Sequence, residues 1–133
     1  REEFLAQPHI GALSVVESAE RAPLNVPIWY QYTPGGNLWI RTGPESRKAR
    51  AIRAAGRFSL MVQRVEPTIR YVSVEGPAEF SEDSHDLSVE MAVRYLAAEQ
   101  AEEFLEFERT HLGEHTVITM RPEHWLSADM GSL

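Results

Sequence analysis

Two spacings of apolar residues alternate along the chain. Arg1 to Gln7 predicts the end of a helix, with Phe4 and Leu5 as its apolar residues and Pro8 as its stop. His9 to Glu17 is apolar and β-branched and predicts a strand. Pro23 to Tyr32 predicts a second strand. Pro27 within it lacks an N–H donor, which places this strand at a sheet edge or on a bulge. Thr33-Pro34-Gly35-Gly36-Asn37 predicts a turn, and Asn37 to Thr42 a third strand, so that the three strands form a meander. Ala49, Ile52 and Gly56 mark one face of a helix from Ser46 to Ala55, with Thr42 and Glu45 at capping-box spacing and Gly56 as its end. Arg57 to Val65 and Ile69 to Phe80 predict two strands joined by Glu66-Pro67-Thr68, with a bulge or bend at Gly76-Pro77. Leu87, Met91, Tyr95 and Ala98, then Ala101, Phe104 and Leu105, trace an amphipathic helix with a break near Ala97 to Glu99. Thr116 to Met120 predicts a last short strand, and Pro122 to Leu133 a tail holding Trp125. The expected whole is one domain over residues 1–133, a small, mostly antiparallel β-barrel of about six strands with flanking helices.

Composition narrows the function classes. Apolar residues make up 43% and charged residues 25%, which excludes a mainly disordered chain. No apolar run approaches the roughly 20 residues of a membrane-spanning helix. The absence of cysteine excludes disulfide frameworks, iron–sulfur clusters, thiolate zinc sites and cysteine nucleophiles. No secretory leader is visible, and a cytoplasmic location is the expectation. The net charge of −7 counts against a nucleic-acid partner. The bases are nevertheless concentrated between Arg41 and Arg70, while the acids gather from Glu99 to Glu108. A local basic segment in an acidic chain points to a specific anion site, such as one for a phosphorylated small molecule.

That site is expected where Leu38-Trp39-Ile40-Arg41-Thr42 runs through Gly43-Pro44-Glu45 into Ser46-Arg47-Lys48-Ala49. Free amides at a helix start favour an anion. Thr42 and Ser46 add hydroxyls, Arg47 a planar fork and Lys48 a compact charge. Cations in a helix's first turn oppose the dipole, so Arg47 and Lys48 there imply a negative ligand or a solvated basic face. Other candidates carry less. His111 and His115 are four apart, but Gly113 between them disfavours a helix and no glutamate follows the first histidine, so no metal site is expected. Ser84-His85-Asp86 suits a helix start better than a catalytic triad. Trp29 and Trp39 suit a core, His9 a strand without chemistry, and Glu99 to Glu108 the solvated face of a helix.

Thr42, the Ser46-Arg47-Lys48-Ala49 run and Val72-Ser73-Val74-Glu75-Gly76, in that order, resemble the pyridoxamine 5′-phosphate oxidase-like family of flavin-binding split β-barrels. The likeness is clearest from about Phe4 to Phe80. It implies a six-stranded antiparallel split β-barrel with flanking helices, a homodimer, and two flavin-type cofactors at the dimer interface. Carried onto this chain, Arg41, Thr42, Ser46, Arg47 and Lys48 would hold the cofactor phosphate. Asn25, Val26, Pro27, Ile28 and Trp29 would line the ring system, largely through backbone groups. Trp125 would be placed to reach the partner's cofactor. The arginine-rich C-terminal signature of true pyridoxamine phosphate oxidases is not visible. The implied cofactors are FMN or the deazaflavin coenzyme F420, and the implied activity is hydride transfer to a small organic substrate with no obligatory catalytic side chain. Quinones, tetrapyrroles and unsaturated carbonyl compounds all fit an apolar pocket over such a ring. The rival expectations are a non-catalytic barrel that stores or senses a cofactor or haem, and a nucleic-acid-contacting barrel.

Overall fold

The computed structural model describes residues 1–131. Helix α1 (Glu2–Ala6) precedes strands β1 (Gly11–Val15), β2 (Leu24–Ile28), β3 (Tyr30–Tyr32) and β4 (Leu38–Thr42). Helix α2 (Arg47–Ala55) leads into β5 (Arg57–Arg64) and the long β6 (Ile69–Glu82). Helices α3 (His85–Tyr95) and α4 (Ala98–Phe107) follow, with a π-helical turn over Glu108–Leu112. Strands β7 (Thr116–Met120) and β8 (His124–Gly131) complete the described chain. The strands form an antiparallel sheet in the order β2-β1-β5-β6-β7-β4-β3, with β8 added to β6. It curls into a half-barrel with helices on its flanks.

The order corrects the expected meander. The apolar run from Leu24 to Tyr32 breaks at Trp29: β2 pairs with β1, whereas β3 pairs with β4 at the opposite end of the strand order. Pro27 is tolerated because β2 is the edge its missing donor requires. The strand count is eight rather than six, and the expected tail is largely β8, which pairs with β6 from Glu75 to Ile69. Ser132 and Leu133 lie outside the described residues.

One strand carries both halves of the barrel. β6 pairs along its whole N-terminal part with β5, and beyond Pro77 with β7. The Gly76-Pro77 signal therefore marks a hand-over between sheets, with no extra residue inserted opposite β5. A Cβ on Gly76 would stand 1.8 Å from the Arg121 carbonyl oxygen, so only glycine admits this crossing of backbones.

The period-2 pattern fills the barrel. Leu13, Val15, Tyr30, Tyr32, Leu38, Ile40, Phe58, Leu60, Val62, Val72, Val74, Ile118 and Met120 point inward, plugged by Phe4 and Leu5 of α1 and Ile52 of α2. Helices α3 and α4 lie beside Trp29, which stacks on Tyr95 of α3 and is tilted against Phe104 of α4. The Tyr95 hydroxyl fixes α3 there: it accepts from the Tyr30 amide at 3.2 Å and reaches the His9 carbonyl at 2.7 Å.

Candidate functional site

The mouth of α2 forms where β4 runs out. Ser46 is the N-cap, not Thr42 as the capping-box spacing implied: its Oγ accepts from the Ala49 amide at 3.2 Å and lies 3.0 Å from Thr42 Oγ1. Thr42 itself is buried. The amides of Arg47 and Lys48, as the first two helical residues, have no intrahelical acceptor. Arg47 is exposed and makes a bidentate pair with Glu17, at 2.7 and 2.6 Å. Among the described residues no carboxylate pairs with Lys48. The Arg47–Glu17 pair ties the mouth of α2 to the segment after β1.

Arg41 does not join this group. Strand parity turns Ile40 and Thr42 into the barrel and Arg41 outward, beneath α3 and the π-helical turn. Its side chain is only 6% exposed. It donates to Asp83 at 2.9 and 2.7 Å, to Glu108 at 3.2 and 2.7 Å, and to Ser88 Oγ at 2.8 Å. Burial opposes its charge, but the hydrogen bonds and charges of Asp83 and Glu108 outweigh this and hold the guanidinium above its usual range. The Asp83 carboxyl, which burial alone would raise, is held below its usual range by Arg41. Arg41, expected at the cofactor phosphate, has its donors engaged by the half-buried Asp83 and the buried Glu108. Of the solvated face expected over Glu99 to Glu108, Glu99, Glu102, Glu103 and Glu106 are exposed, and Glu108 is buried against the expectation.

The ring-lining candidates lie along β2 and just past it. Asn25 and Pro27 are exposed, and Val26, Ile28 and Trp29 half-buried. Ser14 Oγ donates to Asn25 Oδ1 at 3.3 Å. One row of β2 backbone groups faces away from β1 with no strand partner among the described residues. Two cavities border the strand: one of 280 Å³ at Asn25, Val26 and Pro27, and one of 320 Å³ at Pro27, Ile28 and Trp29. Neither reaches Ser46, Arg47 or Lys48. The structure therefore brings together Thr42, Ser46, Arg47 and Lys48, sets Asn25 to Trp29 as a separate wall, and places Arg41 with that wall, at the 320 Å³ cavity that Pro27, Ile28 and Trp29 border.

Trp29 is stacked on Tyr95 at 4.8 Å and tilted against Phe104 at 5.1 Å, so it roofs the 320 Å³ cavity. Trp125 belongs to β8, opposite Val74, with its ring edge-on to Tyr32 and the Arg1 guanidinium 4.6 Å above it. His111 stacks on Phe107, while His115 follows Gly113 and turns toward Glu108, so the two histidines do not share a face. Among the described residues no cluster of potential metal ligands forms, and no helix is long and apolar enough to cross a membrane. The buried Asp83–Arg41–Glu108 group escaped the sequence reading. Its one available signal was the parity of β4, which separates Arg41 from Thr42.

The fold has known counterparts. An F420 reductase is 22% identical, with 94% of each chain covered and a TM-score of 0.73. A conserved hypothetical protein of Mycobacterium tuberculosis is 20% identical over 96% of this chain and 81% of its own, with a TM-score of 0.71. A FAD-binding protein of Mesorhizobium loti is 16% identical over 96% and 88%, with a TM-score of 0.60. No curated protein sequence matches. The family profile described as pyridoxamine 5′-phosphate oxidase matches residues 1–128. On that match, spanning nearly the whole chain, the protein belongs to the pyridoxamine 5′-phosphate oxidase family.

Proposed function

We propose that the protein is an oxidoreductase that binds a phosphate-bearing flavin-type cofactor, FMN or coenzyme F420, and transfers hydride between it and a small organic substrate. The observation that carries this reading is the mouth of α2: two orphan amides, the Ser46 hydroxyl and Lys48, an ammonium with no paired carboxylate among the described residues. That donor set matches a doubly charged phosphate. Arg47 joins it by exchanging Glu17 for the phosphate, an exchange favoured by the exposure of the pair. Thr42 contributes indirectly, by orienting the Ser46 hydroxyl. The free backbone row of β2 suits the polar edge of an isoalloxazine-type ring, with Asn25, Val26, Pro27, Ile28 and Trp29 along it.

When bound, the cofactor supplies the redox chemistry. The chain anchors the phosphate, orients the ring and keeps its reactive face apolar. The working unit is a homodimer. Apolar side chains left exposed on β8 and beside the β5–β6 turn, among them Leu126, Met130, Val65 and Ile69, support it. The relatives named as an F420 reductase and a FAD-binding protein support a flavin-type cofactor.

The test is reconstitution with FMN and with F420 separately, followed by anaerobic reduction and addition of an electron acceptor. Stoichiometric binding of one cofactor and its reoxidation by the acceptor are expected. A cofactor that binds, is reduced and never passes on its electrons would make the barrel a store or sensor.

A further inference from the structure

We infer that His115 is the proton-transfer residue of the apolar cavity beneath Trp29, serving a planar, largely apolar substrate whose carbonyl oxygen meets His115 Nε2. This rests on the reading that Pro27 to Trp29 face the cofactor ring. The 320 Å³ cavity is walled by Ile28, Trp29, Met91, Phe104 and Leu112, and is polar only where Arg41, Glu108 and His115 enter it. Its volume and its single polar end suit a small ring compound held by one oriented contact.

Two of the three polar groups are already committed to each other, since Glu108 gives both carboxylate oxygens to Arg41. His115 is the third. Its Nδ1 lies 3.2 Å from the Gly113 carbonyl oxygen. A carbonyl only accepts, so Nδ1 carries the hydrogen and Nε2 is the nitrogen that gains and loses a proton. Nε2 stands 3.9 Å from Glu108 Oε2, too far for a hydrogen bond and within ion-pair reach when the ring is protonated. His115 also lines the neighbouring 800 Å³ polar cavity, beside Asp83, Ser84 and His85. The imidazole thus stands between an apolar compartment and a polar one.

Reduction of a carbonyl compound needs a hydride and a proton. The substrate carbon accepts a hydride from the reduced flavin-type cofactor, which is thereby oxidised. As charge builds on the carbonyl oxygen, its O–H bond forms while the His115 Nε2–H bond breaks. His115 regains its proton from water in the polar cavity. Arg41 from β4, Glu82 at the end of β6, Asp83 and His85 at the approach to and start of α3, Glu108 and Arg109 from the π-helical turn, and Glu114 after it are the charged and titratable groups facing this exchange.

The site is tested without turnover by following the histidine imidazole NMR signals of the full chain, free of cofactor, during titration with 2-methyl-1,4-naphthoquinone. The signal that disappears in His115→Gln is expected to move on adding the quinone. A His115 signal that stays fixed at saturating quinone overturns the proposal. Turnover supplies the second test. With the reduced cofactor bound, the anaerobic rate of quinone reduction is expected to depend on the His115 imidazole. His115→Gln should lower the rate by about 10²-fold, as loss of a general acid does, while His111→Gln, at a residue that lines neither cavity, keeps the wild-type rate. A wild-type rate in His115→Gln would contradict the proposal. Failure of both FMN and F420 to bind would defeat the proposed function instead, and leaves the NMR result to judge the cavity by itself.

Discussion

Arg41 lies outside the barrel wall with its guanidinium divided between Asp83 and Glu108, and Lys48 lies at the α2 mouth with no carboxylate paired to it. Both occur in the one basic segment of an acidic chain, and composition gave them the same expectation. What separates them is geometry on the scale of a single residue. In β4, Leu38, Ile40 and Thr42 share the inner face, so Arg41 cannot present its fork beside the Thr42 hydroxyl. That much was legible in the alternation. The partners were not, because Asp83 and Glu108 are distant in sequence, and Glu108 sits in a glutamate-rich run that resembles a solvated face. The buried group makes a pH prediction. The folded-state pKa of Asp83 is depressed, so its contribution is present above the unfolded carboxyl value and is lost as pH falls through the folded one. Arg41→Met should destabilise the protein near neutral pH by about 3–5 kcal/mol, the cost of leaving buried charge unpaired. Its deficit relative to wild type should shrink on acidification, as the stranded carboxylates take up protons. Denaturant unfolding at a series of pH values checks both statements; a deficit that is constant with pH would place the role of Arg41 in packing alone.

At the scale of elements, local signals were legible and pairings were not. The Thr33–Asn37 turn, the α2 stop at Gly56 and the break between α3 and α4 all follow from turn chemistry and helical spacing. The run from Leu24 to Tyr32 carried no break signal, because Trp29 has the β-propensity of its neighbours, and only the closure of the barrel sends β2 and β3 to opposite ends. β8 was missed because Trp125 alone of its large apolar residues turns to the core, while Leu126 and Met130 are exposed, so the strand reads as a tail. Gly76 was read as part of a bulge or bend, yet its reason is space: the Arg121 carbonyl occupies the position of a side chain. Gly76→Ala should therefore cost about 3 kcal/mol or more, since backbone on both sides must move. Thermal unfolding checks this. A loss below 1 kcal/mol, the usual helix or strand propensity difference, would show that the two chain segments separate easily.

On the scale of the whole molecule, a half-barrel with an open edge strand is a scaffold for a site completed from outside. The proposed homodimer predicts a particle of twice the 15.1 kDa chain in sedimentation equilibrium, and a strict monomer at micromolar concentration would contradict a cofactor shared between subunits. The family resemblance carried the fold, and the α2 mouth carries the proposed function. Its direct test is the affinity of FMN and of F420 for the wild-type chain and for Lys48→Ala, measured by titration with folding confirmed. Loss of a charge-assisted bond to phosphate, about 1.5–3 kcal/mol, predicts binding weaker by roughly 10- to 100-fold for whichever cofactor the wild type holds. Equal affinity in the two proteins would contradict the assignment of the phosphate to this helix.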